Sequence, residues 1–418
     1  MNRRKFIKNS LLATSGLSLA GLTAWHHFFD GEVFNPCSLD AIPDEILNHE
    51  LMAKVIDGID FNSLWDCHFH LIGNGLNPSI DNLSSGGWLS PKMTSWSSPM
   101  QKLQYEFYLN AGCINNSEFA DKEYMQAVIK MAEHLPKGIR FMLLAFDYQH
   151  DEDGKANQPD STFYMPNEYA ARMAKLNPLF EWIASIHPYR EDAVEHLQWC
   201  VENGARAVKW LPPAMNIDPA SEKCNAFYDA LVKHQIPLLT HAGDEKAVHS
   251  EELQKLANPL LLRKPLEMGV NVIVAHCASL GEAEDIESNS QKKISNFNLF
   301  ARLMEDSNYK QNLLGDISAI NLFNRNIDEV KQIISNQHWH ERLLYASDFP
   351  LPGVMPIVSS TNLASHHLLS KETVEFLSKL RLHNSWLFDF AQKRLLEVDG
   401  ISFSNKVFST RHHFTQSI

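Results

Sequence analysis

Asp66-Cys67-His68-Phe69-His70 ends a short apolar run and is followed by the glycine-bearing loop Leu71-Ile72-Gly73-Asn74-Gly75. Side chains at i and i+2 of an extended strand point the same way, so His68 and His70 project together from one strand end, where two imidazoles can grip one metal ion. The spacing alone decides little: the chain has 20 histidines, and His338-Trp339-His340 repeats it. Three later segments share the grammar of an apolar strand ending in a ligand-type residue, namely Ile236 to His241, Val270 to His276 and Leu343 to Asp348. A fourth, Gly204 to Trp210, carries Lys209 at its end. Counting back by twos from each polar terminus gives Leu239 and Pro237, Val274 and Val272, Ala346 and Leu344, Ala207 and Ala205. These are the small or apolar residues that should line a barrel beneath a site.

Strand-like runs occur at about 63–70, 139–146, 181–187, 205–210, 236–241, 270–276, 311–317 and 342–348, with amphipathic helical patterns such as 193–202 and 227–235 between most of them. Eight strand–helix units predict an α/β chain folded as a (β/α)8 TIM barrel, with its active-site groups at the C-terminal strand ends. By that rule His338 and His340, which precede the eighth strand, belong to the opposite mouth and are expected on the surface. A long insertion follows the first strand: 71–98 reads as loop, then helical patterns run near 99–111 and 118–135. Because it leaves the mouth of the barrel, this insertion is expected to cover the site, with Trp88 or Trp96 either packing on substrate or pinning the loop to the shell.

Five strand ends that offer His68 and His70, Lys209, His241, His276 and Asp348 in this order resemble the amidohydrolase superfamily of metal-dependent hydrolases, in the broad amidohydrolase-2-like branch that also contains decarboxylases and lactonases. The resemblance spans roughly residues 61 to 390. It implies that His68, His70 and His241 bind a divalent metal, and that Asp348 closes the site and serves as general base. It places His276 where members touch substrate or bind a second ion, and Lys209 where some carry a carboxylated lysine bridging two ions. Asp348, His276 and Lys209 are thus the expected catalytic residues. The nitrogen-rich set suits Zn²⁺, with one ion favoured over two. The implied activity is attack of a metal-activated water on an amide, ester or lactone bond of a small molecule. Non-oxidative decarboxylation is the alternative within enzymes, and a non-catalytic metal- or ligand-binding protein the alternative outside them. Weaker candidates are His187 at the end of the third strand, Arg190 and Arg263 as carboxylate binders or ordinary ion pairs, and Asp316 and Ser318 as groups that orient neighbours. Asp244 and Glu245 either do the same or start a helix.

The chain of 418 residues has a formal charge of −13. Residues 1–24 hold Arg3, Arg4, Lys5 and Lys8 and no acid, so the remainder has 33 basic and 50 acidic residues, or −17. That balance argues against nucleic acid or an anionic membrane surface as partner and leaves a small-molecule substrate, with homo-oligomers open. The basic start and the apolar stretch from Leu11 to Ala24 read as a twin-arginine-like export signal over 1–24, implying a periplasmic protein. The alternative is an uncleaved membrane anchor over Leu11 to Phe29. A helical or linker segment is expected over 25–60, the barrel over 61–395 and a tail over 396–418. Cys37, Cys67, Cys113, Cys200, Cys224 and Cys277 show no disulfide-framework spacing and are expected as buried free thiols, with Cys67 and Cys277 facing the helical shell.

Overall fold

The computed structural model describes residues 33–245, 252–288 and 292–415, so the export signal and its cleavage point lie outside the described residues. Eight parallel strands follow one another as Trp65–His70, Arg140–Leu144, Phe180–Ile183, Val208–Trp210, Leu238–His241, Val272–Ala275, Leu313–Asp316 and Leu343–Leu344. The first three pair in sequence order, and so do the last five. Parallel bridges Ala184–Val208 and Phe69–Phe349 join the two sheets at both edges. The bonds Lys209 N–H to Ala184 O (2.6 Å) and His70 N–H to Phe349 O (2.9 Å) carry the hydrogen bonding across those seams. The architecture is an α/β TIM barrel, its two sheets joined at each edge by a single bridge.

Helices pack outside the strands by ordinary amphipathic logic. In Ile327–Ser335 the Asn326 side chain accepts from Asp328 N–H, acids occupy the first turn, and Val330, Ile333 and Ile334 are buried. Each such side chain contributes on the order of 1.5–3 kcal/mol by leaving water.

The barrel interior holds Trp65, Cys67, Ala207, Leu239, Leu344 and Ala346 among others. Leu239, Ala207, Leu344 and Ala346 stand where alternation places them. Cys67 does not face the helical shell as expected. Asp66 pairs with Phe141 and Phe69 with Leu143, so the first strand has one extra residue at this point. A bulge of one residue flips side-chain parity. Trp65 and Cys67 therefore point inward below it, while Phe69 above it stacks outward between Phe141 and Phe349 at 4.5 and 4.6 Å. The sixth strand also departs from expectation: Ile273 and Ala275 face inward, and Val272 and Val274 join the outer core. Here φ turns positive at His276 (56°), Cys277 (49°) and Ala278 (52°), so the chain has left the strand and parity counted from His276 does not carry back.

His340 is buried rather than on the surface, with Nε2 2.9 Å from Ile334 O and Nδ1 accepting from Ser404 N–H. The 3-10 turn Gln337–Arg342 swings its ring inward, while His338 stays exposed against Glu305. The C-terminal tail returns to the barrel: Thr410 Oγ1 bonds both backbone groups of Trp65, and Phe414 enters the interior cluster. Among the described residues no helix is long and apolar enough to cross a membrane.

The free-thiol expectation fails for two cysteines. Cys37 and Cys113 form a disulfide across 76 residues, with Cα atoms 5.5 Å apart. Local spacing carries no signal of so distant a pair. Cys67, Cys200, Cys224 and Cys277 are buried and free. Replacing Cys37 and Cys113 together by Ser should lower stability by about 2–4 kcal/mol, the scale of a lost cross-link over such a loop. Denaturant unfolding under non-reducing conditions checks this, and reduction of the wild-type protein should reproduce the loss.

Candidate active site

Asp316, at the end of the seventh strand, is the buried hub of the site. Its Oδ1 accepts the backbone N–H groups of His276 and Ser318, each at 2.9 Å, and the Ser318 hydroxyl. Its Oδ2 lies 3.0 Å from His68 Nδ1. Burial pushes the Asp316 carboxyl up, but His68, His276 and Lys209 outweigh it and hold it well below the usual carboxylate range. Because the Ser318 hydroxyl donates to Asp316, its oxygen accepts from His276 Nδ1 at 2.7 Å. Both His68 and His276 thus present Nε2 lone pairs to the mouth of the barrel.

At that mouth Asp348 Oδ1 stands 3.0 Å from His70 Nε2 and 3.4 Å from His68 Nε2, while Oδ2 is 3.9 Å from His276 Nε2. Burial opposes ionisation of Asp348, yet the three histidines hold its carboxyl well below the ordinary range. Burial also depresses His68 and, far more, His276, which favours the neutral imidazoles a metal requires. Donors about 2.1 Å from one ion stand roughly 3.0–3.4 Å from each other in octahedral or tetrahedral arrangements. Asp348 Oδ1 meets that spacing with both His68 and His70, and one donor atom from each of the three lies within 4.8 Å of the others, so they fit a divalent metal. A second group, His68 with His276 and Asp316, also converges. Asp316 is a poor ligand there, since its lone pairs already take hydrogen bonds from four groups; we read it as the residue that orients the ligands.

His241 lines the same cavity but belongs to neither convergent group. Its Nε2 lies 3.1 Å from Gly243 O, and its Nδ1 3.5 Å from Glu245 Oε2. Lys209 is buried with Nζ 3.3 Å from His68 Nε2, and burial lowers its basicity. A cavity of about 160 Å³ opens above these groups. Its walls are mainly apolar and come in large part from outside the eight barrel strands: Leu89, Met93, Tyr105 and Tyr108 from 71–111, and Phe163, which pairs with Leu89 in a small antiparallel ladder, and Met165 further on.

Neither tryptophan of the first loop lines this cavity. Trp88 sits 5.9 Å from Tyr148, and Trp96 is exposed beneath Lys102. His187 is tied to Met215 O, 2.8 Å away, and packs on His150. Arg190 is engaged by Asp147 and Asp192, and Arg263 by Glu287 and Asp306, so both carry structural ion pairs. Tyr105 and Tyr108 went unnoticed in the sequence. Their signal was two aromatics three apart on one face of a helix leaving the barrel mouth.

Asp316→Asn should weaken divalent-metal affinity by about 10- to 100-fold, the usual cost of losing the group that orients a ligating histidine, while the fold is retained. Competition against a chromogenic chelator, beside circular dichroism, checks both halves.

Residues 65–375, well over half of the chain, match the profile of the amidohydrolase family. No curated protein compared matches in sequence. Among solved structures, an uncharacterised TIM-barrel protein from Bordetella bronchiseptica is 13% identical, covering 76% of this chain and 98% of its own, with a TM-score of 0.44. A 5-carboxyvanillate decarboxylase from Sphingomonas paucimobilis is 12% identical over 72% of this chain and 98% of its own, at 0.41. The 4-oxalomesaconate hydratase of Rhodopseudomonas palustris is 14% identical over 77% of this chain and 93% of its own, at 0.38. Likenesses this loose leave the chemistry to the residues of the site itself. The family match takes in every strand end that carries those residues, and the chain belongs to the amidohydrolase family.

Proposed function

We propose that this protein is a metal-dependent hydrolase acting on an amide, ester or lactone bond of a small molecule. The observation that carries the reading is the convergence of His68 Nε2, His70 Nε2 and one oxygen of Asp348, with the other oxygen of Asp348 turned toward His276. A divalent ion held by that set, Zn²⁺ by preference, lowers the pKa of water and polarises a carbonyl. Asp348 Oδ2 and His276 Nε2 are both acceptors, so together they hold the attacking water by its protons. Asp348 takes one proton as the water oxygen adds to the carbonyl carbon. It returns that proton to the departing nitrogen or oxygen as the bond to carbon breaks, so one water is consumed for each bond cleaved. Lys209 faces the substrate as an ammonium. One ion is proposed, because Asp316 is saturated by hydrogen bonds and leaves the second convergent group without a free carboxylate. His241 is proposed as a further ligand from the cavity wall, which requires its ring to exchange a contact with Gly243 O or Glu245 for the ion.

The segment 71–139 is proposed as an insertion that covers the site. Export to the periplasm through the signal at 1–24 is proposed as well, and the Cys37–Cys113 disulfide supports it, since such bonds persist in oxidising compartments. A small-molecule substrate is the proposed partner, with membrane contact only through the signal if it is retained.

Chelation should abolish hydrolysis and metal restore it, with about one ion per chain by elemental analysis and no change in that count in Lys209→Ala. Asp348→Asn should lose turnover by about 10²-fold or more while metal affinity falls only moderately, the scale of a lost general base. Carbon dioxide release without consumption of water would assign decarboxylation instead, and tight ligand binding without any product a binding role. For export, Arg3→Lys with Arg4→Lys should leave precursor in the cytoplasm, read by fractionation and immunoblot.

A further inference from the structure

Tyr108 lines the cavity from helix Pro99–Ala111, one turn beyond Tyr105. Its oxygen accepts a 2.8 Å hydrogen bond from Gln104 Nε2. Among the described residues nothing accepts its own proton. Burial pushes the phenol up, so the proton stays in place at working pH. The helix that carries it is pinned at its C-terminal end. Cys113, two residues past that end, is bonded to Cys37. Asn35 N–H donates to Asn110 Oδ1 at 2.9 Å, and Asn110 Nδ2 donates back to Asn35 O at 3.1 Å. Gly353 packs so closely that a Cβ there would lie 2.7 Å from Ala111 O. A donor on a pinned helix is held in place before the ligand arrives, which reduces the ordering cost of binding.

The wall of the cavity is mainly apolar, with Leu89, Met93, Phe146, Phe163, Met165 and Leu211, and carries few polar groups away from the strand ends, among them Tyr105 and Thr162. The cavity of about 160 Å³ is close to the roughly 150 Å³ that suffices for benzene. An acceptor oxygen brought against such a wall is costly unless it is hydrogen-bonded.

We propose that Tyr108 is a substrate-contacting residue of this site, donating its phenolic hydrogen bond to an oxygen of a mainly apolar substrate about the size of one substituted ring. The proposal rests on the hydrolytic reading of the site only for what happens to the substrate after it binds. Titration calorimetry of the purified full-length protein with acetophenone and ethylbenzene, ring-sized probes that differ by one carbonyl oxygen, tests the contact without turnover. In the wild type and in Thr162→Val, which removes another hydroxyl on the wall, acetophenone should bind about tenfold tighter than ethylbenzene, the scale of one net hydrogen bond. In Tyr108→Phe the preference should shrink to about threefold or less, with ethylbenzene affinity, metal content and thermal midpoint unchanged. Phenyl acetate hydrolysis should lose about tenfold in kcat/KM in the same variant. A preference that survives Tyr108→Phe, one lost only in Thr162→Val, or failure of both probes to bind overturns the contact. If the binding pattern holds while phenyl acetate, lactones and amides go uncleaved, the contact stands and the hydrolytic reading falls. If hydrolysis proceeds with Tyr108→Phe identical to wild type in both assays, the hydrolytic reading stands and the contact falls.

Discussion

The carboxylate of Asp316 is shared by three strand ends, and the geometry of the site depends on that sharing. It gathers His68 from the first strand, the backbone of His276 from just past the sixth, and Ser318 from its own. A buried carboxylate is costly unless its lone pairs are filled, and hydrogen bonds to a charged group contribute about 1.5–3 kcal/mol each. Filling them here also decides tautomers. His68 and the Ser318–His276 pair both spend a proton toward Asp316, directly or through the hydroxyl, so both rings face the cavity with a lone pair. Orientation, burial and ligand basicity therefore come from one arrangement.

A second buried carboxylate secures the opposite side of the same mouth. Asp66 accepts from Ser347 N–H (2.9 Å), His68 N–H (3.2 Å), the Ser347 hydroxyl and Trp386 Nε1 (2.7 Å). These bonds tie the eighth strand to the first just below Asp348, whose own N–H donates to His68 O at 2.9 Å. Asp348 and His276 both sit at positive φ, 58° and 56°. For residues other than glycine that backbone region costs roughly 1–2 kcal/mol. The two networks hold these residues in it, and so aim both side chains at one point.

Above that point the chemistry changes character. The floor is polar and charged, whereas the walls are leucine, methionine and aromatic side chains contributed largely by segments between the strands. Apolar walls lower the local dielectric and so strengthen charge interactions at the floor. The strand ends thus supply the polar floor, and the segment 71–111 supplies much of the apolar wall.

Alternation at strand ends is a local property, and so the sequence alone determined the eight strands, the barrel, and the order His68, His70, Lys209, His241, His276, Asp348. It also placed Leu239, Ala207, Leu344 and Ala346 inside. Interactions between distant segments decided the rest. The extra residue in the first strand exists only as a mismatch with its neighbour, and it turned Cys67 inward. The positive φ at His276 is set by the Asp316 network, and it broke the parity of Val272 and Val274. The ties of His241 to Gly243 and Glu245, the burial of His340 and the pairing of Cys37 with Cys113 all depend on partners that no periodicity reveals. Asp316 read as a minor orienting residue because its importance lies in how many strand ends it touches. Tyr108 was invisible because a cover residue is defined by the cavity it faces, and that cavity exists only once the barrel has closed beneath it.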